Sequence, residues 1–152
     1  MNKEAQAMIE AIQQNELEAA VQLFKQSVEQ SVLENNSADL AELAETMHAL
    51  GFLSEAKEAY GALNYLAPQI QEWNIALAEI AIDEDDYDKA LDILLTIDKE
   101  SDVYPQALLT MADAYQVQGL YEVSEKKIFE AMALLPDEPI LDYALAQLYH
   151  SI

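Results

Sequence analysis

Cysteine and arginine are absent from this 152-residue chain, which has only three glycines and four prolines. Without cysteine there can be no disulfide and no thiolate metal site. No apolar run approaches the roughly 20 residues of a membrane-spanning helix, and the amino-terminal segment is too polar for a secretory signal. We therefore expect a protein without a membrane segment and with a cytoplasmic location.

Positive charge is also scarce, since 29 acidic residues face seven lysines and the net charge is −22 at pH 7. Proteins that bind nucleic acids neutralise phosphates with lysine and arginine, and anionic membranes attract the same residues. The charge therefore argues against both partners. Solubility alone is the simplest explanation for so many carboxylates.

What the chain does contain is a repeat with a period of 34 residues, which is typical of repeat architectures. The clearest column of small residues is Ala44, Ala78, Ala112 and Ala146. The rare residues that obey the period are Gly51 with Gly119, Pro68 with Pro136, and Pro105 with Pro139. Recurrence of residues this rare predicts a structural unit that is copied along the chain.

Each period predicts a pair of helices. In the unit that begins at Ser37, apolar residues recur at three-and-four spacing, which indicates one buried stripe on a helix. Ser37 is the predicted N-cap, and Gly51 supplies the left-handed residue that ends the first helix. A second helix follows and stops before Pro68.

The repeat resembles the tetratricopeptide repeat, a helix–turn–helix unit of the same length. The residues of the unit 105–138 that carry the resemblance are Leu108, Met111, Ala112, Tyr115, Gly119, Tyr121, Ala131 and Pro136. The unit departs from the family pattern in three residue types. Leu108 is apolar but stands where tryptophan is common, Ser124 replaces alanine, and Ile128 replaces an aromatic residue. The resemblance implies an all-α, right-handed superhelix of antiparallel helix pairs with about nine helices. The chain is also similar to multi-repeat proteins of Gram-positive bacteria.

We expect one domain whose repeats span about 1–36, 37–70, 71–104 and 105–138, followed by a lone first helix at 139–152. The first repeat fits only with two extra residues and a long second helix. The third repeat has Asp85 where glycine is usual, and aspartate tolerates the left-handed region better than most residues. Its Trp73 is expected to be partly buried.

In this family the first helices line a concave groove, and a few outward places on them contact ligands. The residues of this chain at those places that we select as the candidate groove are Glu45, Ile75, Glu79, Ile82, Leu109, Asp113, Val117 and Tyr143. From Ser37 onward the places hold no lysine, which excludes the family's clamp for carboxylate termini. The resemblance and these residues indicate a non-catalytic adaptor that binds a peptide or protein segment with basic and apolar residues.

Leu141, Leu145 and Leu148 look unpartnered on the final helix. We expect the chain to be a piece of a longer repeat protein, in which a following helix covers them. The alternative is an architectural homo-oligomer, such as a homodimer, built through these three leucines. A third alternative, a domain attached to an absent catalytic or membrane segment, stays open.

Catalytic and metal-binding patterns are missing from the sequence. The acidic run 83–88 lacks the glycine and glutamate that an EF-hand loop requires, because those places hold Asp88 and Leu94. His48 and His150 lie three repeats apart and cannot share a site. There is no glycine-rich phosphate loop and no nucleophile motif. We therefore expect no enzyme activity, no cofactor and no metal.

Overall fold

The computed structural model describes residues 3–152, except for the side chain of residue 4, and within that range it consists of helices joined by turns and short loops. The first two residues of the first expected repeat lie outside the described residues. The helices are α1 (Lys3–Gln13), α2 (Leu17–Leu33), α3 (Ser37–Ala49), α4 (Leu53–Leu66), α5 (Glu72–Asp83), α6 (Tyr87–Leu94), α7 (Tyr104–Val117), α8 (Tyr121–Leu134) and α9 (Pro139–Ser151). These nine helices confirm the predicted all-α class.

The described helices form two compact units, a first unit up to residue 73 and a second unit from residue 74 to residue 152. In the first unit α1 packs on α2 and α3 packs on α4, and in the second α7 packs on α8. The short connections within these pairs make the paired helices antiparallel. The expectation of one single domain stays a prediction.

The turns inside the helix pairs share one conformation, as the repeat requires. Gly51 has φ +84° and Gly119 has φ +78°, and Asp85 takes the same left-handed region at +62°. The residue after each donates its N–H to the carbonyl five residues earlier, as Phe52 does to Met47 at 2.9 Å. This bond satisfies a carbonyl at the end of the first helix and fixes the path into the second.

One predicted helix start needs a correction, and α6 is shorter than the other helices. Asn36, and not Ser37, caps α3, because its side-chain oxygen accepts the N–H of Asp39 at 3.1 Å. α6 ends at Leu94, so Ile97 is buried outside the helix. The hydroxyl of Thr96 donates to the carbonyl of Ile93 at 2.6 Å, and such local bonds compete with helix continuation.

The alanine columns mark where helices approach closely. In the second unit Ala78, Ala81 and Ala90 belong to one buried cluster with Leu94 and Leu108. A side chain larger than alanine would force the helix axes apart at these points, because interhelical distance depends on the side chains at the contact. The long second helix predicted for the first repeat is α2, with 17 residues.

Candidate functional site

The two apolar residues expected at the centre of the groove are buried. Ile75 and Leu109 are only 5% and 9% exposed, and both belong to the core cluster of the second unit. Tyr143 occupies the same repeat place on α9 and is 63% exposed. The prediction that Ile75 and Leu109 present their side chains to a ligand is therefore wrong for the described conformation. Repeat position alone did not indicate how deeply each side chain packs.

The remaining residues of the candidate groove differ in exposure. Val117 and Asp113 are exposed on α7, whereas Glu79 and Ile82 on α5 are partly buried. Partial desolvation by the surrounding protein raises the pKa of the Asp113 carboxyl, although the residue as a whole is exposed. A carboxylate that is incompletely solvated gains more from a cationic partner than one in open water.

Hydrogen bonds join α7 to α9 beside these residues. The side-chain amide of Gln116 donates to the Ser151 hydroxyl at 3.1 Å, and that hydroxyl donates to the Gln147 carbonyl at 3.0 Å. The Gln147 amide in turn donates to the Tyr143 hydroxyl at 2.9 Å. We call the surface formed by Asp113, Gln116, Val117, Tyr143 and Gln147 the α7–α9 face. The sequence placed these residues on equivalent helices, but it did not predict the bonds that hold Tyr143 in position.

Glu45 lies in the first unit, and the other candidate residues belong to the second. It is exposed beside an open pocket of about 350 Å³ that is also lined by His48, Ala49 and Tyr60. The ring of His48 meets Tyr60 edge-on at 6.3 Å, and Tyr60 lies 6.2 Å from Trp73 between ring centroids. Trp73 is partly buried, as predicted. This arrangement places one carboxylate next to an aromatic cluster.

The three leucines expected to form an open surface on α9 instead face inward. Leu141 and Leu148 are 2% and 0% exposed and belong to the buried clusters of the second unit, and Leu145 packs against one of them. Their spacing of four and three residues puts them on the helix face that contacts α7 and α8. Leu141 and Leu148 are therefore covered within the chain, and the oligomer surface expected at the three leucines stays a prediction.

Side chains of the acidic run 83–88 form hydrogen bonds within the turn between α5 and α6 and at the start of α6. Asp85 accepts the hydroxyl of Tyr87 at 2.8 Å, and this hydrogen bond raises the pKa of that phenol. Asp86 caps α6 by accepting the N–H of Lys89 at 3.3 Å. Within residues 3–152, no group of three or more His, Asp or Glu side chains is arranged to hold a metal ion.

Comparison with known proteins agrees with this architecture. A family model described as the ARM repeat of tetratricopeptide repeat protein 21 matches residues 1–130, and one described as YpiA-like tetratricopeptide repeats matches residues 116–152. The chain belongs to the tetratricopeptide repeat family. The predicted similarity to multi-repeat proteins of Gram-positive bacteria is also confirmed, because the chain is 36% identical over 149 residues to the TPR repeat-containing protein YpiA of Bacillus subtilis.

Solved structures of tetratricopeptide repeat (TPR) proteins share the fold. A TPR protein from Parabacteroides merdae superposes with a TM-score of 0.71 at 21% identity, over 97% of this chain and 57% of its own. A TPR protein of Thermus thermophilus gives 0.68 at 22% identity, over 97% of this chain and 80% of its own. Identities this low establish the fold alone.

The TPR fold is in general a non-catalytic scaffold for protein–protein interaction. The chain spans about a third of the length of YpiA, covering 34% of it. None of the helices within residues 3–152 is both long enough and apolar enough to cross a membrane. The chemistry of a partner therefore has to be argued from the surfaces of this chain.

Proposed function

We propose that the chain is a non-catalytic adaptor whose α7–α9 face binds a peptide or protein segment with basic and apolar residues. The observation that supports this most is the exposed Asp113 carboxylate lying on a face with two exposed apolar side chains. Val117 is 57% exposed and Tyr143 is 63% exposed. Exposed aromatic side chains with a polar tip are frequent anchors in protein interfaces.

The distribution of charge supports a cationic partner. The helices α3, α5, α7 and α9 contain no lysine, and all seven lysines lie outside them. A positively charged segment therefore meets carboxylates without competition from basic groups on α7 or α9. Such complementarity raises the association rate, while the apolar contacts slow dissociation.

The Glu45 pocket in the first unit has the same chemistry on a smaller scale. A lysine side chain beside Glu45 would meet a carboxylate together with the rings of His48 and Tyr60. We include Glu45 as a separate contact for a basic residue of the partner. Ile75 and Leu109 lie in the core of the second unit, so the proposal gives them no contact with the ligand.

The proposal is tested by measuring binding to a fluorescent peptide array in which lysine and leucine content vary independently. Asp113→Lys should lower affinity for lysine-rich peptides, and the loss should shrink at high salt because exposed charges are screened. Tyr143→Ala should weaken binding by about tenfold, as truncated interface anchors commonly do. Binding should also weaken as the pH falls through the raised pKa of Asp113, since protonation removes its negative charge.

The matched control is Glu122→Lys, which makes the same change of charge at an exposed position on α8. Asp113→Lys and Glu122→Lys should differ in affinity if the α7–α9 face binds the peptide. Equal losses of affinity in the two variants would mean that only the net charge of the chain matters. Unchanged affinity in Tyr143→Ala would mean that the peptide does not bind at the α7–α9 face.

A further inference from the structure

The first unit contains an apolar pocket that the proposed function does not use. It has a volume of about 220 Å³, and its floor is formed by Met8, Phe24 and Met47. These three side chains are at most 2% exposed, whereas Leu17 and Val21 at the mouth are 50% and 40% exposed. The pocket therefore leads from water directly to the core of the first unit.

The mouth of the pocket exposes apolar surface that an occupant would cover. Leu17 and Val21 also line a shallow depression on the outer side of α2, next to Glu18. Removing such surface from water is favourable in proportion to its area. Methionine at the floor fills irregular spaces and adapts readily, so Met8 and Met47 can adjust to an inserted group.

The size of the pocket selects what can enter. Pockets for drug-sized ligands usually measure about 300–1,000 Å³, so this one is small for such a molecule. An apolar cavity of roughly 150 Å³ accommodates a benzene ring. A single leucine-sized side chain therefore matches the space better than a whole small-molecule ligand.

The charge at the pocket selects the residues that flank this side chain. Among the described side chains that line it, Glu55 is the one with a charge, and Glu18 adjoins the mouth. Lys25 follows Val21 by one helical turn and lines neither depression. A second copy of the chain would carry a net charge of −22 to this acidic mouth, and like charges oppose that contact. A segment with lysine or arginine beside the apolar residue is complementary.

We propose that this pocket binds one leucine-sized apolar side chain, flanked by lysine or arginine, from a segment of another protein. The side chain enters toward Met8 and Met47, and the flanking cations lie near Glu55 and Glu18. This surface belongs to the first unit and the α7–α9 face to the second, so either site can fail without the other.

The test uses the full chain with ¹³C-labelled methionine methyl groups, observed by NMR. The probe is the capped pentapeptide Gly-Lys-Leu-Lys-Gly. Met8 and Met47 report on the pocket, while Met111 and Met132 lie in the second unit and report separately on binding there. Comparison peptides replace the leucine by alanine or both lysines by glutamate.

The methyl signals of Met8 and Met47 should shift saturably with the leucine peptide, independently of any shift of Met111 and Met132 that binding to the α7–α9 face causes. The alanine peptide should bind about tenfold more weakly, because most of the buried apolar surface is lost. The glutamate peptide should also bind more weakly. Val21→Lys should abolish the shifts, and the matched control Leu33→Lys should not, since Leu33 is 87% exposed near the far end of α2.

Unmoved signals of Met8 and Met47 at millimolar peptide would overturn the inference. Equal affinity for the leucine and alanine peptides would do the same, because it would remove the inserted side chain. Shifts confined to Met111 and Met132 would place the peptide on the second unit, which contradicts this pocket and leaves the proposed function standing.

Discussion

Both units of the chain bury a serine hydroxyl completely, but only the second unit gives it a partner. Ser124 on α8 donates to the carbonyl of Ala112 on α7 at 2.8 Å. Ser27 on α2 is equally buried, and its hydroxyl finds no hydrogen-bond partner among residues 3–152. Ser124 is therefore satisfied between α7 and α8, whereas packing around α2 leaves the Ser27 hydroxyl without a partner and a pocket open.

The same contrast separates the two proposed binding surfaces. In the second unit most apolar residues of the repeat lie in the core, and on the surface Tyr143 accepts a hydrogen bond from Gln147. In the first unit the longer α2 and the adaptable Met8 and Met47 leave apolar surface uncovered. The second unit thus presents the hydrogen-bonded α7–α9 face, and the first unit presents an open apolar pocket.

The largest expected effect breaks the closed packing of the second unit. Leu148→Glu places a charge at a site that is 0% exposed, and an unpaired buried charge costs about 4 kcal/mol of unfolding free energy. Urea denaturation followed by circular dichroism measures the loss. The control is Ile140→Glu on the same helix, at a site 54% exposed, where we expect a change within about 0.5 kcal/mol.

Unchanged stability of Leu148→Glu would instead support the alternative of a homo-oligomer built through the leucines of α9. If the variant keeps its full stability and only its sedimentation changes, Leu148 lies on a contact between copies and not in the core.

The next effect compares one repeat place in two helices. Leu109→Ala removes a core side chain and should lower the free energy of unfolding by about 3 kcal/mol. Tyr143→Ala, at the equivalent place on α9, should change it by less than about 1 kcal/mol, because the side chain is exposed. Urea titration of both variants provides the measurement. Similar losses in the two would mean that Tyr143 supports the fold and cannot be read as a free anchor.

The sequence predicted the architecture because the repeat restricts it at many points at once. Glycine and proline recur at the helix ends. Asp85 occupies the same position of the repeat as Gly51 and Gly119, and this position predicted its left-handed conformation. Stacked helix pairs then follow from the buried stripe on each helix. Local rules and the period pointed to the same structure.

The candidate site was less predictable, since exposure depends on what packs nearby and not on the repeat place alone. Leu109 is buried beside the start of α9, and Leu141 and Leu148 turn toward α7 and α8. The cap at Asn36 is made by one side-chain hydrogen bond, and Ser37 next to it is of an equally suitable residue type. The pocket in the first unit arises where the repeat is irregular, so no column of the repeat marks it.

The smallest expected effect compares the two buried serines, because their substitution should change the free energy of unfolding in opposite directions. Ser124→Ala removes the bond to the Ala112 carbonyl and should lower the free energy of unfolding by about 1 kcal/mol. Ser27→Ala removes a buried hydroxyl without a partner and should raise it by up to about 1 kcal/mol, because the desolvated group is no longer a cost. Both substitutions remove the same atom from a fully buried site, so each is the control for the other. Urea denaturation that shows equal destabilisation in the two would mean that Ser27 is satisfied in solution, and the looser packing inferred for α2 would lose its support.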